Sequence, residues 1–174
     1  MRSALVLCLT AAALTAQSKY GVGRPATETD IKALDIAIAP DGKGLPPGSG
    51  TAVQGAAIYE RRCQRCHGAK GAGGDESPLV GGQGTLNTPK PLKTVGSYWP
   101  HATTLWDYIN RAMPFKEPGL LNPDQVYAVS AYILHLNGIV GENDAMDAST
   151  LPKVKMPNRE GFVADPRPDV KRAR

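Results

Sequence analysis

Large side chains are scarce in this chain. Aromatics make up 6% of its 174 residues, with two Phe and two Trp, while Gly (19) and Pro (15) are plentiful. So much of the chain should be loop, and side chains alone furnish a thin core. Cysteine is also scarce, at three. Cys8 sits in an N-terminal apolar run, which leaves one close pair, Cys63 and Cys66. A single close pair in an exported chain excludes a disulfide framework. No Lys/Arg run is interleaved with aromatics, so the formal charge of +4 and the pI near 9.0 give no reason to invoke nucleic acid. No later hydrophobic run could cross a membrane, and there is no internal repeat. The length suits one domain with tails.

The first residues read as a secretory signal. Arg2 is a short positive region, Ala4 to Leu14 is apolar, and Leu14-Thr15-Ala16 places a small residue before a cut near Gln17. The run is too short to span a bilayer; a retained anchor is the alternative. Lipidation at Cys8 is disfavoured by Leu7, which is not small, and by the very early position. The expected address is the periplasm, with no membrane span after signal removal.

Residues 17–50 read as an N-terminal arm rich in Gly, Pro and small polar residues, laid over the domain or else a disordered linker. Within it, Thr29 to Ala39 could form a short helix or strand, and residues 41–50 are turn material. A helix is expected from Thr51 to about Arg62, with Thr51 and Gln54 as a capping box. Gly55, Tyr59 and Cys63 share one face of it, so Gly55 would let a second helix come close. Residues 68–100 are mostly loop. A second helix, from about Thr104 to Ala112, would bury Leu105, Tyr108, Ile109 and Ala112, and Pro114 ends it. A third starts at Asn122-Pro123, buries Val126, Val129, Ile133 and Leu136, and closes at Gly138. Residues 139–174, interrupted by Pro152, Pro157, Pro166 and Pro168, read as an extended tail. The domain is therefore expected over residues 51–138.

Cys63-Gln64-Arg65-Cys66-His67 is C-x-x-C-H, the attachment sequence for c-type haem. The two thiols add across the haem vinyl groups, and His67 follows at once as the proximal ligand. A porphyrin would also stand in for the missing Phe and Trp. The competing readings are a thiol redox pair or half of a zinc site. A zinc site needs further ligands, but His101 and His135 are isolated; a thioredoxin-like pair needs a βαβ context that is absent. Arg61, Arg62, Arg65 and Lys70 crowd the cysteines, either as a solvated face or as a docking surface around a haem edge.

Candidates for the sixth ligand are Met113, Met146, Met156, His101 and His135. Met113 is favoured. It lies where the second helix stops before Pro114, a poor place for a core-filling Met and a good one for a thioether pointing inward. Tyr98, Trp99 and Trp106 are either core aromatics or, for Tyr98 and above all Trp99, donors to a buried haem propionate.

At residues 51–138 the chain resembles a class I cytochrome c. The resemblance implies an all-α fold of three main helices and long loops around one covalent haem, with extended N- and C-terminal arms. It implies that Gly55 and Tyr59 meet Tyr132. It further implies that Pro78, in Ser77-Pro78-Leu79, offers its carbonyl to the His67 Nδ1–H, a bond that tunes the imidazole. Met113-Pro114 matches the family's second axial ligand. A narrower resemblance rests on Gly23 to Thr27, Leu45 to Gly50, Thr94 to Pro100, Arg111 to Phe115 and Val154 to Arg159. These stretches are similar to SoxD-type cytochromes of periplasmic sulfite and sulfane dehydrogenases, whose catalytic partner carries a molybdenum cofactor. Electrons would then arrive from that subunit and leave to an acceptor cytochrome c. The chain would be an electron-transfer protein, not itself an enzyme, with the two arms clasping the catalytic subunit and Arg159 as a charged contact. A free-standing shuttle is the alternative. A peroxidase-like haem enzyme would need an open sixth position, and Met113 argues against it.

Overall fold

The computed structural model describes residues 22–167. The expected signal at residues 1–16, Cys8 within it, and the chain from Pro168 onward lie outside the described residues. The chain divides into two units between Ile36 and Ala37.

The first unit holds helix α1, Glu28–Leu34, so the helical option for this stretch is the one realised. Thr27 and Asp30 form a reciprocal capping box, and Arg24 grips the Asp30 carboxylate with two nitrogens at 2.6 and 2.9 Å. The guanidinium and the Thr27 groups hold that carboxyl far below the usual carboxylate range. Nothing on α1 is buried; Ile31, Leu34 and Ile36 are all exposed.

The second unit contains the three expected helices. Helix α2 spans Ala52–Arg62, and its Thr51–Gln54 box forms in full. The short α3, Gln64–His67, follows through Cys63, and a 3₁₀ turn covers Ala69–Gly71. Helix α4 runs Ala102–Ala112. Helix α5 runs Pro123–Leu136 from an Asn122–Gln125 capping box, with Pro123 in its first turn.

The crossing of α2 and α5 organises the unit. A Cβ on Gly55 would lie 2.0 Å from the Ala128 carbonyl oxygen and 2.8 Å from Tyr132 Cβ, so only glycine permits this approach. Tyr59, 1% exposed, packs its ring 5.3 Å from that of Tyr132. Such an aromatic pair contributes about 0.5–1.5 kcal/mol beyond its burial.

Helix α4 corrects one expected position. Ala102, Leu105, Trp106 and Ile109 are buried, but Tyr108 is 48% exposed and Ala112 only half-buried. At roughly 100° per residue, Leu105, Ile109 and Trp106 span one stripe, and Tyr108 falls on its far edge. Its ring instead meets Trp99 edge-on at 5.8 Å. Helix α5 is buried more widely than a single face, from Val126 through Ala131 and again at Ile133 and Leu134, while Leu136 is half-buried. The reason is that α2, α4 and a two-stranded ribbon all pack on it.

That ribbon moves the domain's edges. Ser49–Gly50 (β1) pairs antiparallel with Met146–Asp147 (β2), joining segments expected to be separate arms. A Cβ on Gly50 would strike the Ala128 backbone at 2.4 Å. On the N-terminal side, Ile38 and Leu45 pack against the core, and Pro46 O accepts from the Tyr127 hydroxyl at 2.9 Å. On the C-terminal side, Met146, Leu151, Val154 and Met156 are buried. The stretch from Ile139 to Met156 has little regular structure yet belongs to the core. From Arg159 to Arg167 every residue is exposed.

Asn137, just past α5, ties the long loop to the helix. Its Nδ2 donates to Leu79 O (3.2 Å) and Ile133 O (2.9 Å), and its Oδ1 accepts from Gly81 N (3.2 Å). A buried turn at Thr94–Ser97 closes the loop, with Thr94 Oγ1 donating to Gly81 O and Ser97 Oγ to Leu92 O, each at 2.6 Å.

Candidate haem-binding site

The motif residues come from the end of α2 and from α3. Cys63 is half-buried and packs against the core, whereas Cys66 is exposed, and the two thiols are free. Burial pushes the Cys63 thiol up to about 11, and nearby Cys66 adds to the shift. His67, half-buried, ends α3. Its Nδ1 lies 3.2 Å from Ser77 O, which orients the ring and leaves Nε2 free of protein hydrogen bonds among the described residues. The expected acceptor was the carbonyl of Pro78; the structure places the carbonyl one residue earlier. Glu76 N–H donates to Cys66 O (2.9 Å) and Leu79 N–H to Gly71 O (2.9 Å), so the Ser77 peptide is the one carried past the ring. Pro78 instead stiffens that peptide, having a fixed φ and no N–H. Leu79 is half-buried against the core.

Met113 follows α4 directly, with extended backbone, and is half-buried against the core cluster. The other two methionines differ. Met146 and Met156 are 5% and 3% exposed and serve as packing residues. His101 precedes α4 with its Nδ1 buried and unpartnered, and His135 Nδ1 lies 3.3 Å from Val140 O. Among the described residues no group of three or more His, Cys, Asp or Glu is placed to hold a metal ion.

The aromatics expected over a propionate have protein partners. Tyr98 meets Phe162 edge-on at 5.3 Å, Lys93 Nζ sits 4.9 Å over its ring, and its carbonyl accepts from Asn158 at 2.7 Å. Trp99 is half-buried beside Tyr108. Trp106, read from sequence as an ordinary core aromatic, is indeed 1% exposed and packs on Tyr127, but its Nε1–H has no partner. Asp107 pairs with Arg111, while its other oxygen is buried and unpaired. Nothing in the pattern of α4 marks these orphaned atoms, because the apolar period predicts only which side a residue faces.

The donor set fits a covalent haem. Two free thiols stand three residues apart, an oriented imidazole follows with one nitrogen open, and a thioether stands at a helix end. With the glycine-mediated helix crossing, this defines a class I c-type cytochrome, a protein that holds haem c covalently and transfers electrons. The cytochrome c oxidase cbb3-type subunit III family matches residues 50–133. No curated protein sequence matches the chain. Among solved structures, the chain is similar to one in the crystal structure of the sulfane dehydrogenase SoxCD from Paracoccus pantotrophus. The TM-score is 0.77 and the identity 42%, covering 87% of this chain and 75% of that one. At that identity and coverage, the chain belongs to the SoxD-type c cytochromes.

Proposed function

We propose that this chain is a periplasmic one-haem electron carrier. It takes electrons from the molybdenum-containing catalytic subunit of a sulfite or sulfane dehydrogenase and passes them to an acceptor cytochrome c. The observation that carries this reading is the C-x-x-C-H segment, with two free thiols and an oriented His67, in a chain 42% identical to one from a sulfane dehydrogenase complex. When bound, the haem supplies a reversible one-electron iron couple. Cys63 and Cys66 would hold it by thioethers, and His67 and Met113 would ligate the iron, a nitrogen–sulfur donor pair that would raise the potential relative to two nitrogens. With His67 and Met113 both serving as ligands, the iron would offer substrate no position, so the chain would have no sulfur-oxidising activity of its own.

Export rests on the signal read at residues 1–16, with a cut near Gln17. No helix among the described residues is long and apolar enough to cross a membrane. The docking role falls mainly on the first unit. Ordering a chain costs about 1–2 kcal/mol per residue, yet Val22, Ile31, Leu34 and Ile36 stay between 55% and 83% exposed. A partner surface would cover them. On the C-terminal side, the clasp shortens to the residues after Met156. Arg159, 4.0 Å from Glu160 and partly exposed, stays available there for a charged contact.

The test is reduction of the oxidised holoprotein by the matching dehydrogenase and its sulfur substrate, followed at the haem absorbance. Rapid reduction that needs both is expected. Sulfite turnover by the metal-checked cytochrome alone, or no reduction with the dehydrogenase present, would contradict the proposal.

A further inference from the structure

Tyr59 does more than fill the crossing of α2 and α5. Its ring contact with Tyr132 could be made equally well by phenylalanine. Only the hydroxyl requires tyrosine, and that hydroxyl donates to Gly68 O at 3.0 Å, one residue past His67. Burial pushes its pKa up to about 12, so it remains a donor at neutral pH. It also lies 3.6 Å from the place a Cβ on Gly71 would occupy, against the whole Gly68–Gly71 turn. The turn is costly to hold. Gly68, Lys70 and Gly71 all have positive φ, at 75°, 54° and 72°, and Lys70 is the single non-glycine with positive φ among the described residues. Such conformations persist where the surroundings over-determine them.

The same turn holds the partner of His67. Gly71 O accepts from both Leu79 N (2.9 Å) and Val80 N (3.2 Å), while Cys66 O accepts from Glu76 N (2.9 Å). Ser77, between these anchors, thereby presents its carbonyl to His67 Nδ1. A continuous set of hydrogen bonds thus runs from the Tyr59 hydroxyl, through the turn and residues 76–80, to the imidazole.

We infer that Tyr59 is a positioning residue for His67: its hydroxyl latches the Gly68–Gly71 turn, and the turn fixes Ser77 O against His67 Nδ1. The inference rests on the reading of His67 as axial ligand. A bond from Nδ1–H to a carbonyl raises the electron donation of the ring toward iron, which favours the oxidised state. Loosening the latch should weaken that bond and raise the reduction potential.

The experiment uses the haem-loaded Tyr59→Phe and Tyr132→Phe proteins. Each keeps its ring, and the Tyr132 hydroxyl makes no hydrogen bond among the described residues, so the second variant controls for a general loosening of the crossing. In Tyr59→Phe, the Nδ1 proton of the axial imidazole should exchange with solvent roughly five- to tenfold faster, the factor carried by one ordinary hydrogen bond. The potential should shift upward. Tyr132→Phe should change neither. Unchanged exchange and potential in Tyr59→Phe, or equal changes in both variants, would overturn the inference. Assigning the paramagnetically shifted imidazole resonances of the parent protein separates the two readings. If they belong to another histidine, the ligand assignment has failed. If they belong to His67 and Tyr59→Phe is silent, only the latch has failed.

Discussion

Replacing Gly55 by alanine sets two opposing effects against each other. At an exposed helical site, the change would stabilise the helix by about 1 kcal/mol, because glycine loses more backbone entropy on folding. At Gly55 the added methyl would meet the Ala128 carbonyl oxygen at 2.0 Å, its carbon at 2.6 Å and Tyr132 Cβ at 2.8 Å. Two of these three atoms are backbone of a buried helix, so rotamer changes cannot relieve the overlap. The helices must separate by about 1 Å, which costs about 1–3 kcal/mol as overpacking and should fall at the upper end of that range. The net expectation is a loss of about 2 kcal/mol, or roughly 8 °C in Tm for a domain of this size. Denaturant unfolding of the haem-loaded protein would measure it, with Val53→Ala on the exposed face of α2 as a control expected within about 0.5 kcal/mol. A Gly55→Ala protein as stable as the parent, or more so, would refute the close crossing.

Two further predictions come from the revised edges of the domain. Ending the chain before Leu151 should cripple folding and haem loading, because it removes the buried Leu151, Val154 and Met156; ending it after Val163, which keeps the Tyr98–Phe162 contact, should leave the haem spectrum and thermal stability nearly unchanged. Spectra and melting curves of the two truncated proteins check this. Asp147 ends the β2 strand of the ribbon, where bonds from Ser149 and Thr150 lower its carboxyl from 3.8 to about 2. A depressed folded-state pKa gives stability that is present above about pH 4 and lost as pH falls toward 2. Asp147→Asn should therefore narrow the difference in melting temperature between pH 5 and pH 2.5, by a small amount because the group faces solvent.

What could be read from the sequence was local or tied to a fixed spacing. The caps Thr51–Gln54 and Asn122–Gln125 lie three residues apart, and both form. Gly55 and Tyr59 share a face by helical period alone, and C-x-x-C-H needs no fold to be recognised. What escaped depended on distant partners. No local signal pairs Ser49–Gly50 with Met146–Asp147, or places Met156 in the core from a proline-rich stretch. A sparse aromatic stock makes such a chain recruit its tail into the core, so low apolar content did not mean an unpacked arm. The stretches read from sequence as similar to the SoxD type acquire structural roles in the same way: Thr94 and Ser97 close a buried turn, and Asn158 holds Tyr98 O. The shift from Pro78 to Ser77 was invisible because it depends on which peptide the Gly71 and Cys66 carbonyls pin beside the ring.

Electron transfer through this chain depends on ligation of the iron by His67 and Met113. In the oxidised haem-loaded protein, the weak near-infrared sulfur-to-iron absorption should be present, and Met113→Ala should abolish it while leaving the covalently attached haem in place. If Met113→Ala keeps the band and Met156→Ala loses it, the sixth ligand comes from the core methionine and the assignment of Met113 is wrong.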